Sequence, residues 1–598
     1  MTTVPARADV PIESTWNHES VFASFDAWRE EYQAAMAKLP EIDGYKGTLS
    51  QGPERLAEWF DFHQALARRV WTLYMYPVMW QACDGENEEI KGMVGQAQGL
   101  AGQFMAGAAF AEPELLALDG DQLQGWLQRD DLKHYQHHID DLLRKKKHVL
   151  SGEVESVLGL LSDPLGRIES VRSALNDMDL KFEPAADSGG APQPLVQSTI
   201  NKLLASGERE TRKSAWQNYA DSYLEFQNTF ATTYLASVTR DVALARLRGY
   251  ESVLQAKLSP NNIPVEVFHN LIDTYKKHIP TWHRYWDVRR RALGYETIHP
   301  WDIWAPLTAN DPELTYPEAV EMIADGMAPL GEAYVETMRR GCLEERWVDY
   351  AINEGKSEGA FSFGTYDSHP FIMMSFDGNL SSMSTLAHEL GHSMHSHYTR
   401  ARQPFVYSNY SMFAAEVASN FNQAMVRAHL FAGQDDRDFQ LALIQEAMDN
   451  LHRYFFIMPT LARFELEVHT RMENDEPLTP ETLNEIMAGF YAEGYGETMS
   501  DDPRRTGITW AQFGHLYEAY YTFQYATGIS AAHALANAIL AGEDDGAVGR
   551  YHTFLRAGGS EYAIPALKAA GVDMSTPLAV EETFKVLEGL VDRLEGLI

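Results

Sequence analysis

The chain has 598 residues, of which 45% are hydrophobic and 22% are charged, a globular composition that excludes an intrinsically disordered protein. Its formal net charge of −36 argues against nucleic acid as a partner, because phosphate binding requires a basic surface. A chain of this length is expected to form more than one structural lobe.

The first thirty residues contain no apolar leader segment, and no apolar run approaches the ~18 residues that would span a membrane. The two cysteines, Cys83 and Cys342, follow no pairing pattern and are predicted to be free thiols in a reducing compartment. Together these features predict a cytoplasmic protein without a membrane partner.

Helical periodicity dominates the chain, most clearly over residues 53–110, 201–250 and 431–475. Residues 183–194 are rich in proline, glycine and alanine and could be either a hairpin tip or a linker. We therefore predict a mainly α fold, divided near residue 200 into an N-terminal helical region, 1–200, and a second region, 201–598.

Strand-like alternation is scarce in this sequence. Residues 370–376, PFIMMSF, are the best candidate for a strand, and the turn Asp377-Gly378-Asn379 follows them. The sequence thus predicts a small β-sheet directly before the next helix.

That next helix is predicted over residues 381–397, with Asn379 or Ser381 as its cap. Its core-facing apolar stripe consists of Met383, Leu386, Leu390 and Met394. His388 and His392 lie four residues apart beside this stripe, so both imidazoles can hold one zinc ion. Glu389 is placed to take a proton from a zinc-bound water. The alternative is an ordinary amphipathic helix with a surface or satisfied histidine pair.

A zinc site of the peptidase kind has three protein ligands and one open position. A third histidine six residues after His392 is absent, because that position is Tyr398. The predicted helix 411–430 offers Glu416 instead, next to an apolar stripe where a carboxylate is costly unless a cation compensates it. The alternative for Glu416 is an exposed surface carboxylate. We predict one zinc ion per chain, held by His388, His392 and Glu416.

Several motifs of the chain resemble oligopeptidase F and its relatives in the thimet oligopeptidase family of zinc peptidases. The motifs are GAFS at 359–362, PFI at 370–372, TLAHELGHSMHS at 385–396, EVAS at 416–419 and FGHLYEAYYTFQYATG at 513–528. The region near Trp16 is also similar to the start of oligopeptidase F, so the resemblance spans nearly the whole chain.

The resemblance implies a large, multi-lobed helical zinc peptidase with a deep substrate channel, which cleaves internal bonds of short peptides. The N-terminal region is expected to restrict access to that channel. It also implies catalytic roles for Tyr525 and His515. Substrate-binding roles are implied for Tyr521, Tyr517, Phe371 and Gly378. From spacing alone, the tyrosines at 517, 521 and 525 form one helical face that would more often be core.

Three alternatives stay open at this point. A carboxypeptidase or dipeptidyl carboxypeptidase of related helical fold would share the H-E-x-G-H motif. A non-catalytic peptide-binding protein would keep the helical shell but has no need of the base Glu389. A structural zinc site usually has four Cys or His ligands, and neither cysteine lies near the motif.

Overall fold

The computed structural model describes residues 4–598 and consists mainly of α-helices with small sheets, which confirms the predicted fold class. The helices of the first half are α1 Phe25–Lys38, α2 Pro53–Cys83, α3 Glu88–Ala108, α4 Ala111–Ala117, α5 Gly120–Trp126, α6 Gln136–Lys145, α7 Gly152–Ala174, α8 Ile200–Leu204, α9 Arg209–Glu225, α10 Gln227–Leu247, α11 Val253–Leu258 and α12 Val265–Ala292.

The helices of the second half are α13 Tyr316–Gly326, α14 Glu332–Leu343, α15 Leu380–Arg402, α16 Met412–Gly433, α17 Arg437–His452, α18 Met458–Glu473, α19 Pro480–Tyr495, α20 Pro503–Gly507, α21 Thr509–Gln512, α22 Phe523–Ala541, α23 Ala547–Ala557, α24 Ala563–Ala570 and α25 Leu578–Leu597. The strands are β1 Ala185–Ala186, β2 Pro192–Gln193, β3 Val348–Asp349, β4 Phe361–Phe363 and β5 Phe371–Met373. Over residues 4–598, no helix combines the length and the apolar content that a membrane crossing needs.

One compact unit contains the described residues of 1–149 together with 313–426 and 538–570. Its apolar core forms where α2 packs against α3, and it buries the rings of Trp16, Trp28 and Trp59. Phe371 and Met373 of β5 belong to the same core. Strand β5 and the N-terminal helices therefore share one hydrophobic core, although they lie far apart in sequence.

The sheet of this unit has three strands in the order β3-β5-β4. β5 pairs with β3 in parallel, with Val348 opposite Ile372, and with β4 antiparallel, with Ser362 opposite Ile372. β5 is consequently the central strand and is fully buried, and it is shorter than the predicted strand 370–376. β4 lies at an edge of the sheet and packs against α15.

A buried ion network fixes the start of the chain to this sheet. Asp349 on β3 is fully buried and pairs with Arg7 and with Lys356, whose ammonium lies 2.7 Å from its carboxylate. The backbone N–H of Trp16 also donates to Asp349. Burial alone would raise the pKa of Asp349, but the Arg7 hydrogen bond and the charges of Lys356 and Arg7 outweigh it and hold this pKa below its ordinary value.

We expect Asp349→Asn to destabilise the protein by about 3–5 kcal/mol, because it leaves two buried cations without their counter-charge. Since the folded-state pKa of Asp349 is lowered, its stabilising contribution is present above the unfolded-state value of about 3.9 and is lost as the pH falls through the folded-state value. Urea denaturation, followed by tryptophan fluorescence from pH 7 down to the acid transition, measures both effects.

The control for this prediction is Asp131→Asn, which breaks a solvent-exposed pair with Arg129 and should leave the urea midpoint unchanged. Equal urea midpoints for wild type and Asp349→Asn at pH 7 would contradict a stabilising role for the network.

The second compact unit contains residues 150–312, 427–537 and 571–598. In it, α12 packs against α25 and α19, while α18 packs against α10 and α19. β1 and β2 pair antiparallel, so the break at 183–194 is a hairpin tip. The predicted division of the sequence near residue 200 stays a prediction.

Candidate active site

Helix α15 begins where the sequence provides a cap. The Asn379 side chain accepts a hydrogen bond from the Ser382 N–H at 2.9 Å, and the Ser382 hydroxyl lies 3.1 Å from the Asn379 N–H, so the two residues form a capping box. The predicted apolar stripe of this helix is buried throughout. With the start and the inner face of α15 fixed in this way, His388 and His392 lie on one side of the helix.

The predicted metal ligands are adjacent in the structure. One ligand atom from each of His388, His392 and Glu416 lies within 4.8 Å of the others. Nε2 of His388 is 3.4 Å from Glu416 Oε2, and Nε2 of His392 is 4.0 Å from Glu416 Oε1. Two imidazole nitrogens and one carboxylate are a donor set that suits a tetrahedral zinc ion with one open position, so these residues fit a metal ion.

Neighbouring side chains orient these donors. Nδ1 of His388 is 3.0 Å from Oε1 of Gln423, and the amide nitrogen of Gln423 donates to the Ser384 hydroxyl at 2.8 Å. Because the Gln423 oxygen can only accept, Nδ1 of His388 carries the hydrogen and Nε2 keeps its lone pair for a metal. The Ser419 hydroxyl, 3.0 Å from Glu416 Oε2, holds that carboxylate in the same way.

Gly391 allows the two ligand-bearing helices to approach each other closely. A Cβ atom added to Gly391 would lie 2.3 Å from the Ala418 carbonyl oxygen and 2.5 Å from the Ser419 Cα atom, both on α16. The two backbones thus touch within one turn of all three candidate ligands. This role of the glycine in H-E-L-G-H was not predicted, because it depends on a contact with a helix distant in sequence.

We expect Gly391→Ala to push α16 away from α15, which separates Glu416 from the histidines and lowers the affinity for metal. Overpacking against a backbone atom should also cost about 1–3 kcal/mol of stability. Competition with a chelating dye measures the affinity, and Gly95→Ala on α3 is the control, since a Cβ at Gly95 meets nothing within 4 Å. Unchanged metal affinity in Gly391→Ala would refute the importance of this contact.

Glu389 is 6% exposed, and its carboxylate lies near the Ser362 backbone of β4. Its Oε2 atom is buried and has no hydrogen-bond partner among residues 4–598. Burial raises the pKa of Glu389 to about 7. A buried carboxylate oxygen without a partner, next to the candidate ligands, is suited to accept a proton from a substrate water.

The substrate role implied for Phe371 does not agree with the structure. Its side chain is fully buried against Trp16, with ring centroids 4.9 Å apart, and both edges of its strand are already paired. The strand edge nearer to α15 belongs to β4 instead. Gly378 has a φ of 75°, and its carbonyl accepts a hydrogen bond from the Leu314 N–H at 2.8 Å. Its predicted contact with substrate stays a prediction.

In the second unit, His515, Tyr521 and Tyr525 form one cluster. The His515 ring centroid is 5.9 Å from that of Tyr521 and 5.8 Å from that of Tyr525. The Tyr525 hydroxyl donates to the Tyr521 hydroxyl at 3.1 Å, and the Tyr454 ring stacks on Tyr525. Burial, more than the charges of nearby arginines, lowers the pKa of His515 to about 4, so its imidazole is neutral at pH 7.

Tyr517 does not belong to this cluster. It is 5% exposed, and its hydroxyl lies 2.7 Å from that of Thr233, which makes it a core residue and not a substrate contact. The single helical face predicted for the tyrosines at 517, 521 and 525 is also wrong. A short 3-10 turn ends at Tyr517, the backbone reverses at Tyr520 with a φ of 57°, and α22 begins at Phe523.

Two family models match the chain. Residues 202–586 match Peptidase family M3, and residues 114–182 match a model described as Oligopeptidase F. Oligopeptidase PepF of Bacillus subtilis (strain 168) is 37% identical over 597 residues, covering 100% of this chain and 89% of that protein. Group B oligopeptidase PepB of Streptococcus agalactiae is 33% identical, covering 99% of this chain and 98% of that protein.

Solved structures are similar over the same length. A crystal structure from Chlamydophila abortus has a TM-score of 0.90 and 30% identity, covering 100% of both chains. The crystal structure of oligoendopeptidase-F from Enterococcus faecium has a TM-score of 0.75 and 29% identity, covering 96% of this chain and 99% of that one.

Proposed function

This chain belongs to Peptidase family M3, as its motifs predicted, and is a metallo-endopeptidase of the oligopeptidase F type; on that premise we propose that it hydrolyses internal bonds of short peptides with one zinc ion. The observation that carries this proposal is the set of three ligand atoms within 4.8 Å, on His388, His392 and Glu416, next to the unpartnered oxygen of Glu389. When bound, zinc supplies Lewis acidity that lowers the pKa of water towards neutrality and polarises a carbonyl.

Glu389 acts as the general base in this proposal. Its carboxylate takes a proton from the attacking water, and the resulting carboxylic acid gives that proton to the amine that leaves when the C–N bond breaks. The Glu389 carboxylate is buried beside the candidate ligands, and one of its oxygens has no partner among residues 4–598, so it can accept a proton from water without competition from another donor.

The developing oxyanion requires hydrogen-bond donors, and we assign this role to the Tyr525 hydroxyl on the family resemblance. Stacking on Tyr454 limits the freedom of the Tyr525 ring, and the hydroxyl hydrogen that points to Tyr521 in this structure turns to the oxyanion when substrate is bound. Neutral His515 binds substrate backbone or supports the tyrosine. Tyr521 contributes to substrate binding.

We also propose that the protein works in the cytoplasm. Cys83 and Cys342 are both free and buried, which agrees with a reducing compartment, and burial raises the pKa of each thiol. The acidic net charge supports either simple solubility or a preference for cationic peptides.

Mass-spectrometric mapping of the products from one short model peptide tests this function, with intact casein as a second substrate. We expect internal cuts that a chelator abolishes, and no cleavage of casein. A ladder of successive single residues or dipeptides from the C-terminus would instead establish the alternative, a carboxypeptidase or dipeptidyl carboxypeptidase. Absence of cleavage by a metal-loaded sample would favour a peptide-binding role.

A further inference from the structure

The turn at residues 518–522, which leads into α22, contains a strained residue. Tyr520 has a φ of 57°, in the left-handed region that bulky residues rarely adopt. Its side chain is 2% exposed, and its ring packs edge-on against Phe268 with centroids 5.4 Å apart. Such a conformation persists only where the surrounding structure holds it.

Glu465 on α18 makes the contacts that hold this turn. The Glu465 carboxylate is fully buried and accepts hydrogen bonds from the Tyr520 N–H, at 2.7 Å, and from the Thr522 hydroxyl. Within residues 4–598 it forms no ion pair, and burial raises its pKa to about 8 although both hydrogen bonds act to lower it. Burying a carboxyl group at such a position costs free energy, and an apolar side chain would pack there at a lower cost.

The two hydrogen bonds lie on either side of Tyr521 in sequence. Because the Tyr520 and Thr522 side chains face the interior, the Tyr521 side chain emerges on the other side of the turn and is only half-buried. There its hydroxyl meets that of Tyr525 at 3.1 Å, beside the His515 ring. The geometry of the whole tyrosine pair thus depends on the turn that Glu465 holds.

We propose that Glu465 is a positioning residue for the peptidase reaction: it fixes the strained turn at Tyr520–Thr522 and thereby the directions of the Tyr521 and Tyr525 hydroxyls. This inference rests on the proposed function, in which the two hydroxyls contact the substrate. Glu465 touches neither substrate nor metal in this account and acts only through the turn.

The test compares Glu465→Ala with Glu465→Gln in the metal-loaded enzyme. We expect the alanine variant to lose about 100-fold in kcat, with a smaller change in KM, because displaced hydroxyls no longer meet the transition state. Glutamine keeps an oxygen that accepts from the Tyr520 N–H and a nitrogen that donates to Thr522, so it should restore most of kcat. Backbone amides at 518–523 should exchange hydrogen faster in the alanine variant only.

Thr522→Val provides a milder second variant, and Thr527→Val is its control. Thr527 is a buried threonine of α22, five residues after Thr522, and within residues 4–598 its hydroxyl bonds only to the Gln524 and Phe523 carbonyls. We expect Thr522→Val to lower kcat and Thr527→Val to leave it unchanged. Equal losses in both variants would mean that burial of a hydroxyl, and not its contact with Glu465, is what matters, and would overturn the inference.

Tyr525→Phe, measured in the same assay, distinguishes the positioning role of Glu465 from the proposed function. If Tyr525→Phe loses kcat while Glu465→Ala keeps wild-type kcat, the positioning role of Glu465 is refuted and the proposed function stands. If Tyr525→Phe keeps wild-type kcat, the role of that tyrosine in the proposed function fails. Unchanged amide exchange at 518–523 in Glu465→Ala refutes the inference in either case.

Discussion

Replacing Glu389 by glutamine is expected to lower kcat/KM by roughly 10²–10⁴-fold while the metal content of the chain stays the same. Glutamine has nearly the same shape as glutamate, but its amide oxygen is far too weak a base to take a proton from water. Steady-state kinetics together with metal analysis of the same sample measures both quantities.

The control for this variant is Glu344→Gln, which removes one negative charge from an exposed position of the same compact unit. It should retain wild-type kinetics. Retained turnover in Glu389→Gln would refute the general-base role. A loss of metal together with turnover would mean that Glu389 contributes to metal binding and not only to proton transfer.

The second large effect is expected for Glu416→Ala, which removes one of three candidate ligands and leaves the two histidines on α15. The affinity for zinc should fall by more than about 100-fold, beyond the loss expected for a residue that only orients a ligand. Dialysis against buffered chelator, followed by metal analysis, measures it. Glu416 is buried, and among residues 4–598 its carboxylate pairs only with His388 and His392.

Gln423→Ala is the graded comparison for Glu416→Ala. It leaves all three metal donors in place and removes the acceptor at His388 Nδ1 together with the hydrogen bond to Ser384, so the expected loss of affinity is about 10–100-fold. Unchanged metal content in Glu416→Ala would establish that another residue is the third ligand.

The features that follow from short sequence spacing could be predicted. Helix α15, its cap at Asn379 and the common side of His388 and His392 depend on residues within two or three turns of one another. The position of Glu416 next to the histidines could be predicted as well, because a carboxylate beside an apolar stripe requires a compensating cation wherever the helix packs. The resemblance to oligopeptidase F then related the separate motifs of the chain to one another.

The features that could not be predicted depend on contacts between distant parts of the chain. The burial of Phe371 follows from the pairing of β5 with β3 and β4, which both precede it in sequence but lie on opposite sides of it in the sheet. Tyr517 lies in the core because the backbone reverses at Tyr520. The four-residue spacing of the tyrosines suggested a continuous helix and does not reveal this reversal. The contact at Gly391 and the hydrogen bonds of Glu465 likewise join separate helices.

The central claim is that one zinc ion, held by His388, His392 and Glu416, is required for cleavage of short peptides. The most direct test strips the chain of metal with a chelator and then titrates zinc back while an internally quenched peptide reports cleavage. We expect no cleavage by the metal-free chain and a rise of activity that levels off at one zinc equivalent. Full cleavage by a chain shown to be metal-free would contradict it.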